Sequence, residues 1–216
     1  MAITAAKDGI IKFDLQYSPG DALSADEIAD VNRYRMIMHA LELIGQDPRR
    51  YAGYGFGNIS VRIAPFDTPV HHRRFAITGT QTGSLADLGP EHYAIVEECE
   101  PEHNRIVATG PWKPSSESLT HGVVYDLDPE VYCVIHVHSP EIWNAAKRLQ
   151  LPTTNASVPY GCPEMAAEVV RLYAETDLPE RRIFSMGGHE DGIVAFGPTS
   201  DSAARTLLTA LRQASK

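Results

Sequence analysis

Two histidines one residue apart, His136 and His138, close a run of strand-forming residues, Tyr132-Cys133-Val134-Ile135. Alternate side chains of a strand share a face, so both imidazoles point the same way. Each can then offer a nitrogen to one divalent cation at about 2.0–2.1 Å. On a helix the same pair would diverge, so the chemistry depends on the strand. Ser139-Pro140 ends the run at once and leaves the pair where a pocket can open. The competing reading is two ordinary histidines, one of them satisfied by a backbone partner. A catalytic zinc site uses three protein ligands and keeps a further position open. His189, after Gly187-Gly188 and the short strand Ile183 to Met186, is the first candidate for the third ligand. Its rival is His121, which follows Glu117 by four residues and would share a helix face with it.

Further chemistry can be built from small polar residues. Pro114-Ser115-Ser116-Glu117 precedes a helical pattern. A helix N-terminus carries free amides and a positive dipole end, so it suits anions, and the two hydroxyls add donors. Plain capping by Ser115 or Ser116 is the simpler account. Gly55-Phe56-Gly57 leads into Asn58-Ile59-Ser60-Val61-Arg62, where Asn58, Ser60 and Arg62 share one sheet face, on the simplest reading the solvated one. The loop Thr78-Gly79-Thr80-Gln81-Thr82-Gly83 could wrap a phosphate or carboxylate with its amides and hydroxyls. It lacks the lysine and spacing of a P-loop, which excludes nucleotide binding of that kind.

Elements to position these residues can be read from pattern. Ser24-Ala25-Asp26-Glu27 is a capping box. Ile28, Val31, Tyr34, Met38 and Leu41 then keep a helical period, with Ile37 and Ile44 widening the stripe, and Gly45 is the expected terminator. Phe56 to Ile63, Phe75 to Thr78 and Tyr93 to Val96 read as strands, Ser116 to Asp126 as a helix and Tyr132 to Val137 as a buried strand. Ser139-Pro140-Glu141 opens a helix. Pro163 to Thr176 and Thr199 to Ala214 read as helices, and Gly192 to Phe196 as a short strand. The first 20 residues form an irregular or strand-like lead-in. Helices and strands intermix without strict alternation, which predicts an α/β sandwich with a mainly antiparallel sheet flanked by helices.

Composition narrows the function. Hydrophobic residues make up 43% of the 216, enough for a sizeable core. No repeat or linker divides the chain, so 1–216 is read as a single domain. Net charge is −9, which argues against nucleic acid as a partner; the one basic cluster, His71-His72-Arg73-Arg74, reads as a solvated loop. No apolar run is long enough to span a membrane, and the N-terminus lacks the pattern of a secretory signal, so a cytoplasmic protein is expected. Cys99, Cys133 and Cys162 form neither a CxxC pair nor a disulfide framework and read as small apolar residues.

In order along the chain, several segments together resemble the class II aldolase and adducin head-domain family. They are GNISVR at 57–62, AITGTQTG at 76–83, PSSES followed by His121, and YDLDPEV leading to VIHVHSP at 134–140. Tyr160-Gly161-Cys162-Pro163-Glu164-Met165-Ala166 and GGH at 187–189 complete the set, which covers roughly residues 25 to 210. The family includes fuculose-phosphate and rhamnulose-phosphate aldolases, ribulose-phosphate 4-epimerase, methylthioribulose-phosphate dehydratase and sugar-acid aldolases or decarboxylases, as well as non-catalytic adducin heads. The resemblance implies a three-layer α/β/α sandwich, a homotetramer with sites between subunits, and zinc on His136, His138 and His189. Imidazole ligands also suit Mn²⁺, Fe²⁺, Co²⁺ and Ni²⁺. It matches Glu117 to the family's acid/base, and Asn58, Ser115 and Ser116 to substrate or phosphate positions. Thr78 and Gly79 fall in the anion loop, where the family's Ile-Thr-Pro-Ser/Thr-Gly needs a shift, so Gly79 and Gly83 compete for one role. The family's Asn-His-Gly is here Gly188-His189-Glu190-Asp191-Gly192, which places two extra carboxylates beside the ligand. The implied activity is that of an aldehyde-lyase in carbohydrate metabolism. It would act on a small hydroxylated carbonyl compound, a sugar phosphate or sugar acid, through a metal-stabilised enediolate. Epimerase, dehydratase or decarboxylase chemistry on the same scaffold and a non-catalytic adducin-like module are the alternatives.

Overall fold

The computed structural model describes residues 9–216; the first eight residues of the expected lead-in lie outside it. In chain order the elements are β1 (Asp14–Pro19), α1 (Ala25–Ala40), β2 (Gly45–Gln46), β3 (Gly55–Phe56), β4 (Asn58–Arg62) and β5 (Phe75–Thr78). Then come β6 (Tyr93–Glu100), β7 (Arg105–Gly110), α2 (Ser118–Leu127), β8 (Cys133–His138), α3 (Pro140–Ala145), α4 (Pro163–Glu175), α5 (Leu178–Arg181), β9 (Ile183–Ser185), β10 (Gly192–Gly197) and α6 (Ser200–Ala214). Eight strands make one sheet in the order β1-β7-β6-β5-β4-β8-β10-β9. Only the outer pair β1 and β7 is parallel; the other neighbours run antiparallel. The expected mainly antiparallel α/β architecture is therefore present.

Each face of the sheet has its own core. On one, Ile28, Val31 and Met38 of α1, Ile142 of α3 and Leu207 of α6 pack on Ile59, Cys133, Ile135, Val137, Ile193 and Ala195. On the other, Leu119 and Val123 of α2 and Met165, Val169 and Leu172 of α4 pack on Phe75, Ile77, Val96, Val134, Val194 and Phe196. Helices thus cover both faces, giving three layers.

Local chemistry fixes the helix starts. Ser24 Oγ accepts from the Glu27 N–H at 3.3 Å while the Ser24 N–H donates to Glu27 Oε2 at 2.8 Å. The reciprocal pair satisfies two otherwise free donors, worth about 1 kcal/mol for the serine alone. Ser139 caps α3 through the Ile142 N–H, and Thr199 caps α6 through the Ser202 N–H.

Several boundaries differ from expectation. α1 stops at Ala40, short of Gly45, because Glu42 (φ 57°) takes the left-handed conformation that a terminating glycine usually supplies. The Leu43 and Ile44 amides then both fold back onto the Met38 carbonyl. Leu41, expected on the buried stripe, is exposed, whereas Arg35 is fully buried and donates to the Ala86 and Thr82 carbonyls. The Phe56 to Ile63 strand breaks at Gly57, whose φ of 73° interrupts the extended run. β6 runs past Val96 to Glu100, and β7 is an additional strand that the sequence pattern does not predict. The basic cluster is a loop but an anchored one: Arg74 pairs with Glu97, and Arg73 donates to the Tyr125 carbonyl.

Candidate active site

β8 lies between β4 and β10 near the middle of the sheet, and register places its even-numbered residues toward α2 and α4. His136 stands opposite Asn58 on one side and Val194 on the other; His138 stands opposite Gly192. A turn from Met186 to Gly192, closed by His189 N–H to the Met186 carbonyl and Gly192 N–H to the His189 carbonyl, brings His189 to the same place. The close approach expected of its glycines is real: a Cβ on Gly188 would sit 2.0 Å from the Val158 carbonyl oxygen.

The three imidazoles converge. One ligating atom from each lies within 4.8 Å of the others, and the His138 and His189 Nε2 atoms are 3.1 Å apart. Two nitrogens on one tetrahedral zinc are separated by about 3.3–3.4 Å, so the spacing fits a shared cation. His136 donates from Nδ1 to the Ile193 carbonyl at 3.2 Å, a bond that leaves the Nε2 lone pair for a metal. All three rings are buried. Burial pushes His136 down to about 4. It holds His138 and His189 well below the ordinary histidine value, with the neighbouring imidazoles and, at His189, Lys12 adding to the effect. At neutral pH the rings are therefore uncharged, the state in which imidazole binds metal.

Glu117 Oε1 lies 3.6 Å from His189 Nε2, and its other oxygen accepts from Thr120 Oγ1 at 3.0 Å. The carboxylate is buried at the start of α2, where it acts as the N-cap residue without a capping side-chain bond. Ser115 Oγ accepts weakly from the Glu117 N–H, at 3.3 Å. Simple serine capping therefore does not account for the Ser-Ser pair.

One cleft gathers Glu117, the three histidines, Asn58, Ser115, Ser116 and the loop from Gly79 to Gly83. Gly79 and Gly83 both line it. Thr78 does not; its Oγ1 accepts from the Ile59 N–H at 3.2 Å, fastening the loop to β4. Asn58, which also lines the cleft, has its Oδ1 buried with no hydrogen-bond partner among the described residues. Asn58, Ser60 and Arg62 do share a face, but it is covered by protein rather than solvated. Ser60 Oγ meets His121 Nδ1 and the Tyr125 hydroxyl, both at 2.7 Å. His121, fully buried on α2, is thus tied to Ser60 and stands outside the convergent set. A roomier concavity lies elsewhere, against Trp143, Lys147 and Arg171, and has no cluster of metal-ligating groups among the described residues.

Sequence reasoning missed the strap that closes one side. The Gly9 carbonyl accepts from Thr80 Oγ1 and Gln81 Nε2, at 3.2 and 3.3 Å. The backbone of Ile10 meets the Tyr160 hydroxyl at 3.3 Å. Lys12 Nζ sits 3.4 Å above the Tyr160 ring, which itself packs 4.7 Å from the His189 ring. Tyr160 carried only a motif signal, and Gly9 and Lys12 none.

No helix among the described residues is long and apolar enough to cross a membrane. Solved structures share the fold. L-fuculose-1-phosphate aldolase from Thermus thermophilus aligns with TM-score 0.61 at 20% identity, over 89% of this chain and 92% of that one. A sugar-phosphate aldolase from Thermotoga maritima gives 0.61 at 15% identity, over 88% and 92%. YgbL from Escherichia coli, for which aldolase, epimerase and decarboxylase are all named, gives 0.62 at 17%, over 88% and 87%. At such identities these likenesses speak for the fold alone. The sequence model described as the Class II Aldolase and Adducin N-terminal domain matches residues 44–215, which include every residue brought together at the cleft except those of the strap, and the chain belongs to that family.

Proposed function

We propose that the protein is a divalent-metal-dependent lyase of the aldolase type, acting on a small hydroxylated carbonyl compound such as a sugar phosphate or sugar acid. The observation that carries this reading is the convergence of three uncharged, buried imidazoles with the Glu117 carboxylate 3.6 Å from one of them. His136, His138 and His189 would hold the cation, zinc by preference for a compact nitrogen site, with Mn²⁺, Fe²⁺, Co²⁺ or Ni²⁺ as substitutes. When bound, such a cation supplies Lewis acidity that stabilises the negative charge of an enediolate.

The chain's own residues do the rest. Glu117 moves a proton at its carboxylate, with the Thr120 hydroxyl orienting it. Asn58, Ser115 and Ser116 line the cleft beside it and bind substrate hydroxyl or anionic groups, together with the backbone at Gly79. Thr78 serves this binding by fixing the loop to β4. The strap and Tyr160 limit water on the side of His189. The working unit in this reading is the chain 1–216, as a homotetramer in the cytoplasm.

A second reaction class stays within reach, because epimerases, dehydratases and decarboxylases need the same cation and proton-moving carboxylate and differ in what leaves. A purely structural, adducin-like role is disfavoured: buried polar groups without a use are costly, and Glu117 and Asn58, both buried, line the cleft. Incubation of the zinc-loaded protein with sugar phosphates and sugar acids, scored by aldehyde release, tests the reading. Carbon–carbon cleavage is expected. Inversion, loss of water or loss of carbon dioxide without release of an aldehyde would replace the aldolase assignment with the second class.

A further inference from the structure

Asp191, one of the two carboxylates beside His189, has no task in the reaction just described. Its partner is Tyr51, whose hydroxyl donates to Asp191 Oδ2 at 2.6 Å and accepts from Arg50 Nη2 at 2.9 Å. The Tyr51 ring meets the His138 ring edge-on, with centroids 4.4 Å apart and planes at 67°. Phe56 backs both rings, at 5.0 Å from Tyr51 and 5.5 Å from His138. Arg50 lies across the Phe56 and Tyr51 rings, 4.5 and 5.0 Å from their centroids.

The backbone here is held in an uncommon state. Tyr51 (φ 47°), Ala52 (φ 56°) and Asp191 (φ 62°) are all left-handed, although none is glycine. Such conformations persist where the surroundings over-determine them, and they gather at functional positions. Asp191 is doubly anchored. Its carbonyl accepts from the Ser139 N–H at 2.8 Å, directly after His138, while its carboxylate holds Tyr51. It also lies inside the turn closed between His189 and Gly192.

We propose that Tyr51 is a positioning residue for the metal centre: its ring braces the His138 imidazole, and its hydroxyl, through Asp191, fixes the turn that carries His189. One side chain thereby sets the separation of two ligands that come from distant parts of the sequence. The inference rests on the reading of His138 and His189 as metal ligands. It gives Asp191 a use that needs no contact with substrate.

The test uses the full chain, stripped of metal and titrated with Zn²⁺ against a chromophoric chelator, with Co²⁺ visible spectra recorded in parallel. Partners that orient metal ligands typically contribute about 10–100-fold in metal affinity. Tyr51→Phe, which removes only the hydroxyl, should weaken Zn²⁺ about tenfold and shift the Co²⁺ absorption bands. Asp191→Gly, which keeps the left-handed backbone available, should do the same, and the double variant should be no worse than either single one. Tyr34→Phe is the control, since it breaks another tyrosine–aspartate bond, to Asp201, in the opposite core; it should leave affinity and spectrum unchanged. Wild-type affinity and spectrum in Tyr51→Phe would overturn the inference alone, as would equal weakening by Tyr34→Phe. If Tyr51→Phe fails to fold, Asp191→Gly decides by the same two readouts. A wild-type protein that takes up neither ion would overturn the metal-site reading and this inference with it.

Discussion

The two faces of β8 are made by one run of six residues and share one backbone, yet they have opposite chemistry. Cys133, Ile135 and Val137 enter a hydrocarbon core with α1, α3 and α6. Val134, His136 and His138 face the other way, and the two imidazoles meet His189 and Glu117 there. Strand periodicity separates the two sets, and pairing with Asn58 and Val194 across His136 locks the register. A slip of one residue would exchange them. The hydrocarbon face therefore supplies the stability that lets the other face bury polar groups at positions suited to a cation rather than to packing.

Substitutions on each face should separate the two roles. The largest effect is expected from His138→Ala, which should abolish metal uptake and turnover while the sheet still folds; full metal occupancy by elemental analysis would break the distinction. Glu117→Gln comes next. It should keep metal and fold but lose about 10²–10⁴-fold in turnover, the usual contribution of a general acid or base. Turnover like that of wild type would remove Glu117 from the mechanism. On the hydrocarbon face, Ile135→Ala should cost about 2–5 kcal/mol of stability by denaturant unfolding. The folded fraction should bind metal with unchanged stoichiometry. Acid should also act on the polar face. Burial holds His136 at about 4 against 6.5 when unfolded, so between these values the unfolded chain binds the extra proton. Stability of the metal-free protein from this group is full above about pH 6.5 and falls by about 3 kcal/mol as pH drops to about 4. A denaturation midpoint that stayed flat from about pH 7 to about pH 4.5 would show that the ring is not buried in its neutral form.

The same contrast explains which features are legible in the sequence. Caps at Ser24 and Ser139, the strand carrying His136 and His138, and the helix at 163–175 depend on neighbours within a few residues, and sequence pattern reports such neighbours directly. The β7 strand lacks that clarity: its buried positions are Ile106, Ala108 and Gly110 while Val107 is partly exposed, so residue type does not alternate with burial, and its partners β1 and β6 are fixed only by the sheet. Arg35 reads as a surface residue until Thr82 and Ala86 supply its acceptors from about fifty positions away. At the site, the three-histidine set is legible through HxH and the resemblance, but its supports are not. Tyr51, Lys12 and Gly9 act through contacts that span up to 148 positions, and the left-handed backbone at Tyr51 leaves no mark in composition. The polar side of β4 misleads for the same reason, since the placement of α2 encloses Ser60 and the loop from Phe66 to Arg74 encloses Arg62.

The most direct measurement is elemental analysis of the purified protein combined with X-ray absorption at the edge of the bound metal. The expected result is one divalent ion per chain, with three imidazole nitrogens at about 2.0–2.1 Å, and loss of that ion, as for His138→Ala, when His189 is replaced by alanine. A metal-free chain after zinc loading, or a bound ion whose coordination is unchanged by His189→Ala, would contradict the three-histidine centre.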